Sequence, residues 1–371
     1  MSDEKGRVQW IADNLISTRT SRNDGVLAER GLSVPVGVAE LDDCAVVSVR
    51  QPADLAIGGD YVRGPKFHLY EAGYLTNADL ARYCVTANAS DLAAMGSLGL
   101  GFISIVRYPP AFTDADFQEV MWGIDEACEA YGLRLIGGDT GSAERLILTG
   151  FAIGANPPGG SLLRKQARPG DVVAVTRAVG GAGAAFLASA QHVVSGLDPE
   201  IWQKLLTCWT GFNAQMQVGR ALAETGVRMA CQDVSDGLEA TAIELARGSG
   251  VRIVLDLTRI PMSDGVAEVA ALVGKRPEEL AISASNDFCL CFTCPAAEFG
   301  RVAQAVAEAG STCRVVGECV GGSGVGLIHR DGSRGSELGV GWNHADGEHA
   351  EDATSNMLGK LGDTSTPSEN R

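Results

Sequence analysis

The sequence predicts a mixed α/β (α+β) protein of two domains. Its 371 residues exceed the length of one average domain, and 45% of them are hydrophobic, which is enough for two cores. Short apolar segments typical of strands alternate with longer amphipathic segments typical of helices in both halves. A stretch rich in proline and glycine at 156–160 separates the halves. We therefore expect one domain over 1–157 and a second over 158–345.

The elements of the N-terminal half follow from apolar periodicity and from helix-capping residues. Thr76 or Asn77 can cap a central helix, and Thr113 or Asp114 can cap the next one. In chain order we expect a helix over 8–16, strands over 45–49 and 55–57, a loop over 61–73, the central helix up to about Gly96, a strand over 101–106, a helix from Thr113 or Asp114, and strands over 133–136 and 146–153.

The C-terminal half repeats this alternation and ends in a polar tail. Residues 346–371 contain six acidic and two basic residues among Ser, Thr, Gly and Pro, so we expect a disordered acidic tail. The other expected elements are a strand over 172–176, a helix that starts at 180–183, a helix over 213–224, and strands over 252–255, 288–293 and 314–317.

The charge and cysteine content restrict the possible partners and compartment. The net charge of −16 argues against a general nucleic-acid or membrane-surface binder, because either would need a basic face. The ten cysteines show no regular spacing, as expected of buried, reduced thiols in a cytosolic protein. No signal peptide or transmembrane run is evident. We therefore expect a cytoplasmic protein with no nucleic-acid or membrane partner.

Asp91 is the most informative single residue. It interrupts a stripe of small apolar residues along the central helix, where a carboxylate is costly unless a hydrogen bond, a cation or a metal compensates it. Four other segments place acidic residues in apolar or glycine-rich surroundings near the ends of expected strands. These segments are 41–43, 58–60, 137–139 and 233–236. We predict that these acids converge and hold a divalent metal.

Each of these features also has a simpler interpretation. A single Asp after two glycines is most often a turn residue or a helix cap. Cys289, Cys291 and Cys294 have a spacing that could hold a soft metal, but buried thiols are favoured because no second cluster matches them. The glycines at 180–183 could hold a phosphate at a helix start, although the Lys-Ser/Thr of a P-loop does not follow.

A cluster of carboxylates favours one kind of chemistry. Hard oxygen ligands select Mg²⁺ over zinc, and bound Mg²⁺ attracts polyphosphates. Phosphoryl transfer depends mainly on positioning and on neutralised charge, so acids, metals and glycine amides can suffice. The acids therefore predict a Mg²⁺ site that binds a polyphosphate and could serve phosphoryl transfer.

Seven ordered motifs resemble those of thiamine-monophosphate kinases, in the superfamily that includes aminoimidazole ribonucleotide synthetase. The motifs lie at 42–47, 58–60, 88–96, 135–140, 164–171, 233–238 and 285–293. The resemblance implies the two-domain aminoimidazole ribonucleotide synthetase-like fold. It further implies an N-terminal sheet domain that pairs with a second subunit in a homodimer, an α+β C-terminal domain, and ATP bound with several Mg²⁺ ions. The activity it implies is that of an ATP- and Mg²⁺-dependent phosphotransferase.

The resemblance also assigns roles to individual positions. It implies metal ligands at Asp43, Asp60, Asp91, Asp139, Asp233 and Asp236. Among these, it implies direct roles in catalysis for Asp91, Asp139 and Asp236. It implies ATP contacts at Ser235, Arg164, Gly138 and Asp233.

The chain departs from the family in the acceptor half of the site. Lys66 replaces a pocket histidine, Asn286 replaces an acid, and Trp342 is the candidate for a late aromatic. Lys66 would repel a cationic thiazolium, and Asn286 would no longer attract it. We therefore expect a neutral or anionic small-molecule acceptor in place of thiamine monophosphate.

Two other functions remain open at this point. One is ATP-driven activation of an amide or acid, as performed by the synthetase and dehydratase relatives of the superfamily. The other is a dimer that binds nucleotide without catalysis. Retention of all six matching acids favours the kinase, because a protein that only binds nucleotide need not hold several metals.

Overall fold

The computed structural model describes residues 4–42, 44–62, 65–336 and 338. Within this part of the chain, the polypeptide forms twelve α-helices and thirteen strands. The helices are α1 (Glu4–Asn14), α2 (Asp24–Glu29), α3 (Pro65–Glu71), α4 (Asn77–Ala94), α5 (Asp114–Tyr131), α6 (Gly181–Ala190), α7 (Pro199–Thr210), α8 (Met216–Glu224), α9 (Leu238–Ser249), α10 (Val266–Leu272), α11 (Pro277–Ile282) and α12 (Phe299–Glu308). The strands are β1 (Leu32–Val36), β2 (Val46–Val49), β3 (Asp54–Tyr61), β4 (Leu98–Tyr108), β5 (Arg134–Ser142), β6 (Ile147–Asn156), β7 (Asp171–Val175), β8 (Ala230–Asp233), β9 (Arg252–Asp256), β10 (Leu290–Pro295), β11 (Arg314–Val320), β12 (Gly324–Ile328) and β13 (Arg334–Ser336).

These elements form two compact units that are not continuous in sequence. Unit 1 comprises the described residues up to Val62, Leu75–Leu162 and Phe212–Gly226, and unit 2 comprises the other described residues. The predicted division into 1–157 and 158–345 differs from this arrangement at the boundary, which falls after Leu162, and in two further segments. The segment that contains α3 belongs to unit 2, and the segment that contains α8 belongs to unit 1. The predicted tail over 346–371 lies outside the described residues.

Unit 1 is a four-stranded sheet covered on one face by helices. The strand order is β3-β6-β4-β5, with β4 and β5 parallel and the other neighbours antiparallel. The helix α4 packs against β6 and β3, and α5 packs against α4. A small antiparallel pair, β1-β2, contributes Leu32 and Val34 to a core cluster with Leu98 and Ile136. This pair covers part of the sheet face opposite α4. The described residues of the unit leave the rest of that face uncovered.

The uncovered part of this sheet face is apolar. The burial of β3 alternates, and the side chain of Ile57 is 69% exposed while Leu55 and Tyr61 on the same face are also exposed. Ile57 pairs with Ile153 of β6, and Gly59 pairs with the exposed Phe151. A Cβ atom on Gly59 would lie 2.6 Å from the Phe151 ring, so the ring lies over the glycine backbone.

Unit 2 contains a seven-stranded sheet in the order β13-β12-β9-β11-β7-β10-β8. All neighbouring strands are antiparallel except β9 and β12, which are parallel. Its central strands are buried, as the continuous apolar runs of β7 and β10 require. None of the helices within the described ranges is long and apolar enough to cross a membrane.

Most of the expected elements are present, and the capping prediction is confirmed. Thr76 accepts a hydrogen bond from the Asp79 amide at 3.1 Å, and Thr113 accepts one from the Asp116 amide at the same distance. The expected loop over 61–73 is wrong, because α3 occupies much of it. The short strand β1 and the helix α7 were not anticipated.

Candidate functional site

The helix α4 presents Asp91 at the edge of a buried face. Fourteen of its 18 residues are buried, and most of these are small, so the helix lies close to the sheet. Asp91 itself is only partly buried. A Cβ atom on Gly58 would lie 3.7 Å from Asp91 Oδ2, which places the carboxylate directly over β3. A glycine at 58 leaves the space that this carboxylate uses.

Asp60 lies on the same side of β3 as Asp91. Its amide donates a hydrogen bond to Asn88 Oδ1 at 3.0 Å, and Asn88 precedes Asp91 by one turn of α4. Because side chains alternate along a strand, Asp60 shares its face with Gly58. The structure therefore places two of the predicted metal ligands on the same side of β3, next to the C-terminal half of α4.

Gly138 lies in line with Asp60 across this sheet. The paired residues run from Asp60 to Gly150, Ser104 and Gly138. Gly138 has a φ of +156°, and a Cβ atom there would lie 2.0 Å from the Ser104 carbonyl oxygen. Only glycine fits this position, as a backbone contact to a ligand would also require.

Asp139 lies on the other face of the sheet. It pairs with Ile105 of β4, which pairs with Thr149 of β6, and Thr149 pairs with the exposed Tyr61. Its carboxylate accepts a hydrogen bond from the guanidinium of Arg107 on the same face. Unit 1 by itself therefore does not bring Asp139 together with Asp60 and Asp91.

The second group of predicted site residues lies in unit 2 at the start of α9. Asp233 is buried at the end of β8, whereas Ser235 and Asp236 are partly exposed in the turn that follows. The Asn286 side chain donates a hydrogen bond from Nδ2 to the carbonyl oxygen of Ser235. The structure thus brings Asn286 against the Ser235–Asp236 turn.

Arg164 is placed at the other end of α9. Its carbonyl oxygen accepts a hydrogen bond from Ser249 Oγ at 3.1 Å, and Ser249 is the last residue of that helix. A helix of 12 residues is about 18 Å long. Unit 2 therefore does not bring the Arg164 backbone close to Ser235.

Three predicted site residues cannot be placed completely. Asp43 and Trp342 lie outside the described residues. The backbone of Lys66 lies in α3, and its side chain is not described. Across the parts of the chain that are described, no group of three or more His, Cys, Asp or Glu side chains is arranged to hold a metal ion.

Asp287 is an important residue that the sequence reasoning missed. Its buried carboxylate accepts a hydrogen bond from the Gly180 amide at 2.8 Å, and burial raises the pKa of this carboxyl group. The neighbouring Ser285 Oγ accepts one from the Gly183 amide at 3.0 Å. These amides open α6, so the chain itself occupies the proposed phosphate cradle at 180–183. The position of Asp287 within the motif at 285–293 was the available signal.

Asp171 is a second acid that has a structural role. Its buried carboxylate forms a two-pronged ion pair with the Arg228 guanidinium at 2.7 and 2.8 Å. It also accepts a hydrogen bond from the Arg168 amide at 2.8 Å. The pair therefore joins the turn before β7 to the segment before β8.

The three cysteines between 289 and 294 are buried thiols, whereas Cys44 is exposed. Cys289, Cys291 and Cys294 are buried and unbridged. Burial raises the pKa of all three thiols, that of Cys294 to about 12, which disfavours the thiolate needed for a soft metal. Cys291 and Cys294 lie in the buried strand β10, and Cys289 directly precedes it.

Two family models match most of the folded chain. The model for the N-terminal domain of AIR synthase related proteins matches 41–155, and the model for the C-terminal domain matches 168–330. The curated thiamine-monophosphate kinase of Methanopyrus kandleri is 36% identical over 58% of this chain and 66% of that relative. The curated thiamine-monophosphate kinase of Pyrococcus abyssi is 30% identical over 74% of this chain and 81% of that relative. The chain belongs to the thiamine-monophosphate kinase family.

A solved structure supports the same fold. The crystal structure of the thiamine-monophosphate kinase from Stenotrophomonas maltophilia K279a matches with a TM-score of 0.71, covering 83% of this chain and 93% of that chain at 23% identity. The predicted fold class is therefore confirmed. As a member of this family the chain is an ATP-dependent kinase, and ATP is its phosphoryl donor.

Proposed function

We propose that this kinase transfers the γ-phosphoryl group of ATP, with Mg²⁺, to a neutral or anionic small molecule. The observation that carries the acceptor part is the hydrogen bond from Asn286 Nδ2 to the Ser235 carbonyl oxygen. A carboxylate at 286 could not donate this bond and would repel the carbonyl. The Asn286 amide therefore helps to hold the turn before α9, which an acid at this position would not do.

The donor set on α4 and β3 suits Mg²⁺. Asp60 and Asp91 offer carboxylate oxygens on one side of β3, and Mg²⁺ prefers such hard oxygen ligands. In β5, two residues after Gly138, Thr140 carries a buried hydroxyl oxygen for which no hydrogen-bond partner is found among the described residues. When bound, Mg²⁺ neutralises charge on the transferred phosphoryl group. Asp60 and Asp91 would hold the ion, and the glycine at 58 keeps their side of the strand open.

Asp91→Asn tests this assignment. We expect ATP turnover to fall by at least a hundredfold, because one ligand charge is lost while the side-chain size is kept. Binding of Mn²⁺, followed by electron paramagnetic resonance, should weaken in parallel and gives a readout besides activity. Asp264→Asn, an exposed change in unit 2, is the control and should alter neither. Near wild-type turnover and Mn²⁺ affinity in Asp91→Asn would remove this residue from the site.

The acceptor is tested by direct comparison of candidate molecules. The protein is incubated with ATP, Mg²⁺ and either thiamine monophosphate or a panel of neutral and anionic phosphoesters and alcohols, and phosphorus NMR follows the products. We expect thiamine monophosphate to have a half-saturation constant about ten to a hundred times that of the preferred acceptor, because the loss of one charge attraction costs about 1–3 kcal/mol. Efficient phosphorylation of thiamine monophosphate at micromolar concentration would overturn the changed acceptor and leave the kinase assignment intact.

The uncovered sheet face of unit 1 supports a homodimer. It carries Ile57, Tyr61 and Phe151, and β3 is an edge strand of the sheet. An exposed apolar sheet face and an unpaired strand edge favour association with another chain. A second copy of this chain would cover them. We expect light scattering at micromolar concentration to give about twice 38.6 kDa. Ile57→Lys should yield a monomer, whereas Leu272→Lys, at an exposed leucine of unit 2, should not. A wild-type monomer with full activity would contradict the dimer.

A further inference from the structure

The segment from Pro65 to Tyr74 connects β3 and α4 of unit 1 along the chain, yet it belongs to unit 2. Leu69 of α3 is fully buried. The Tyr74 ring contacts the Trp202 ring of α7 edge-on, with 4.8 Å between the ring centroids. The Tyr74 ring therefore fixes the end of the segment on α7 of unit 2.

His68 makes the contacts that fix α3 on α6. Its Nε2 lies 3.1 Å from Ser189 Oγ, and its ring meets the Phe186 ring edge-on with 5.4 Å between centroids. Ser189 and Phe186 are both buried and lie three residues apart, on one side of α6. One imidazole thus combines a polar and an aromatic contact with the same helix.

We propose that His68 is a positioning residue for the acceptor: by fixing α3 on α6 it sets the place of Lys66, two residues earlier in the same helix. The acceptor role of Lys66 is the one that the family resemblance implies and rests on the proposed function, whereas the anchoring of α3 rests on the contacts of His68 alone. His68 acts through the helix and need not touch the substrate. Its loss should therefore weaken acceptor binding more than ATP binding.

The anchor also responds to pH. Burial lowers the pKa of His68; Glu71 on the same helix opposes this shift, and His192 in the segment after α6 adds to it. Ser189 and Phe186, which α6 presents to the imidazole, carry no charge. A lowered pKa means that the docked state favours the neutral ring. The stabilisation is complete above the ordinary histidine pKa of about 6.5 and decreases as the pH falls from there through the lower pKa of the docked state.

Steady-state kinetics on the full chain separate positioning from general damage. The variants are His68→Ala, His68→Gln and the control His192→Ala, assayed with MgATP and thiamine monophosphate. We expect His68→Ala to raise KM for thiamine monophosphate about tenfold, with KM for ATP and kcat within twofold of wild type. His68→Gln should recover to within threefold, because its amide can still bond Ser189 Oγ. In wild type, acceptor KM should rise between pH 7.5 and 5.5, and in His68→Gln it should not. Equal rises in both KM values would overturn the proposal.

Hydrogen–deuterium exchange tests the anchor without any acceptor. We expect the amides of residues 65–74 to exchange about ten times faster in His68→Ala than in wild type or His192→Ala at pH 7.5. Unchanged protection in His68→Ala would refute the anchor whatever the kinetics show. Absence of turnover with every acceptor would instead overturn the proposed function, and faster exchange in the same variant would still establish the anchor.

Discussion

Gly219 of α8 offers a single-methyl test of how unit 1 holds its central helix. A Cβ atom on this residue would lie 1.9 Å from the carbonyl oxygen of Ala93 and 2.7 Å from its carbonyl carbon. Both atoms are backbone atoms of the α4 terminus, so no side-chain rotation relieves the overlap. Contacts below 3.0 Å are essentially never made by real Cβ atoms, so α8 and α4 must separate by about 1.1 Å, the difference between 3.0 and 1.9 Å.

The expected cost of Gly219→Ala follows from two opposing effects. Overpacking costs about 1–3 kcal/mol, and a backbone overlap belongs at the upper end of that range. Alanine gains about 1 kcal/mol over glycine inside a helix. The net loss in the free energy of unfolding is therefore about 2 kcal/mol. With a urea dependence of about 2 kcal/mol per molar, the midpoint should fall by about 1 M.

The same change should reduce catalysis, because Ala93 follows Asp91 by two residues. A displacement of about 1 Å near reacting groups can cost about a hundredfold in rate. Urea denaturation followed by circular dichroism measures stability, and ATP turnover measures the site. Gly300→Ala in α12 is the matched control, since nothing lies within 4 Å of its Cβ position, and it should stabilise by about 1 kcal/mol. If Gly219→Ala proves as stable and as active as wild type, the close α4–α8 contact is wrong.

Three further predictions follow from the internal partners of the buried groups. Asp171→Asn should lower the free energy of unfolding by about 3 kcal/mol. This is the low end for a broken buried ion pair, because the Arg228 side chain is 25% exposed. Urea denaturation should show this loss, and an unchanged midpoint would contradict it. Asp287→Asn should cost about 1–3 kcal/mol, because an amide replaces one acceptor at the start of α6 with a donor; a thermal melt that equals wild type would exclude this role. At pH 8 a thiol-alkylating reagent should label the exposed Cys44 within minutes and leave Cys289 unlabelled until urea unfolds the protein. Mass spectrometry can follow both residues. Rapid labelling of native Cys289 would contradict its burial and its raised pKa.

Much of the fold could be predicted because local signals determine it. The capping boxes of α4 and α5 and the apolar runs of β7 and β10 are encoded within a few neighbouring residues. The helix α3 escaped prediction because its burial is decided by distant partners on α6 and α7. For the same reason, neither the assignment of α3 to unit 2 nor that of α8 to unit 1 follows from local sequence.

The candidate site was only partly predictable, because sheet register decides which acids face each other. Asp60 and Asp139 follow similar pairs of glycines in the sequence. The pairing of β3, β6, β4 and β5 nevertheless sends them to opposite faces. A shift of one residue in register would exchange these faces, and no feature within either short segment reports the register of the whole sheet.

The motif acids also divide according to the partners that the fold supplies. Asp171 receives a guanidinium and a backbone amide, and Asp287 receives the amide that opens α6, so the chain compensates both carboxylates itself. In the sequence they look like the acids at 60 and 91, since each stands in an ordered motif beside apolar residues. They differ from the acids at 60 and 91 in burial, because Asp171 and Asp287 are buried whereas Asp60 and Asp91 are only partly buried, and burial is decided by the folded chain. An acid in a family motif is therefore first a candidate for a structural bond, and it becomes a candidate ligand when the fold leaves its carboxylate partly exposed, as it does for Asp60 and Asp91 beside α4.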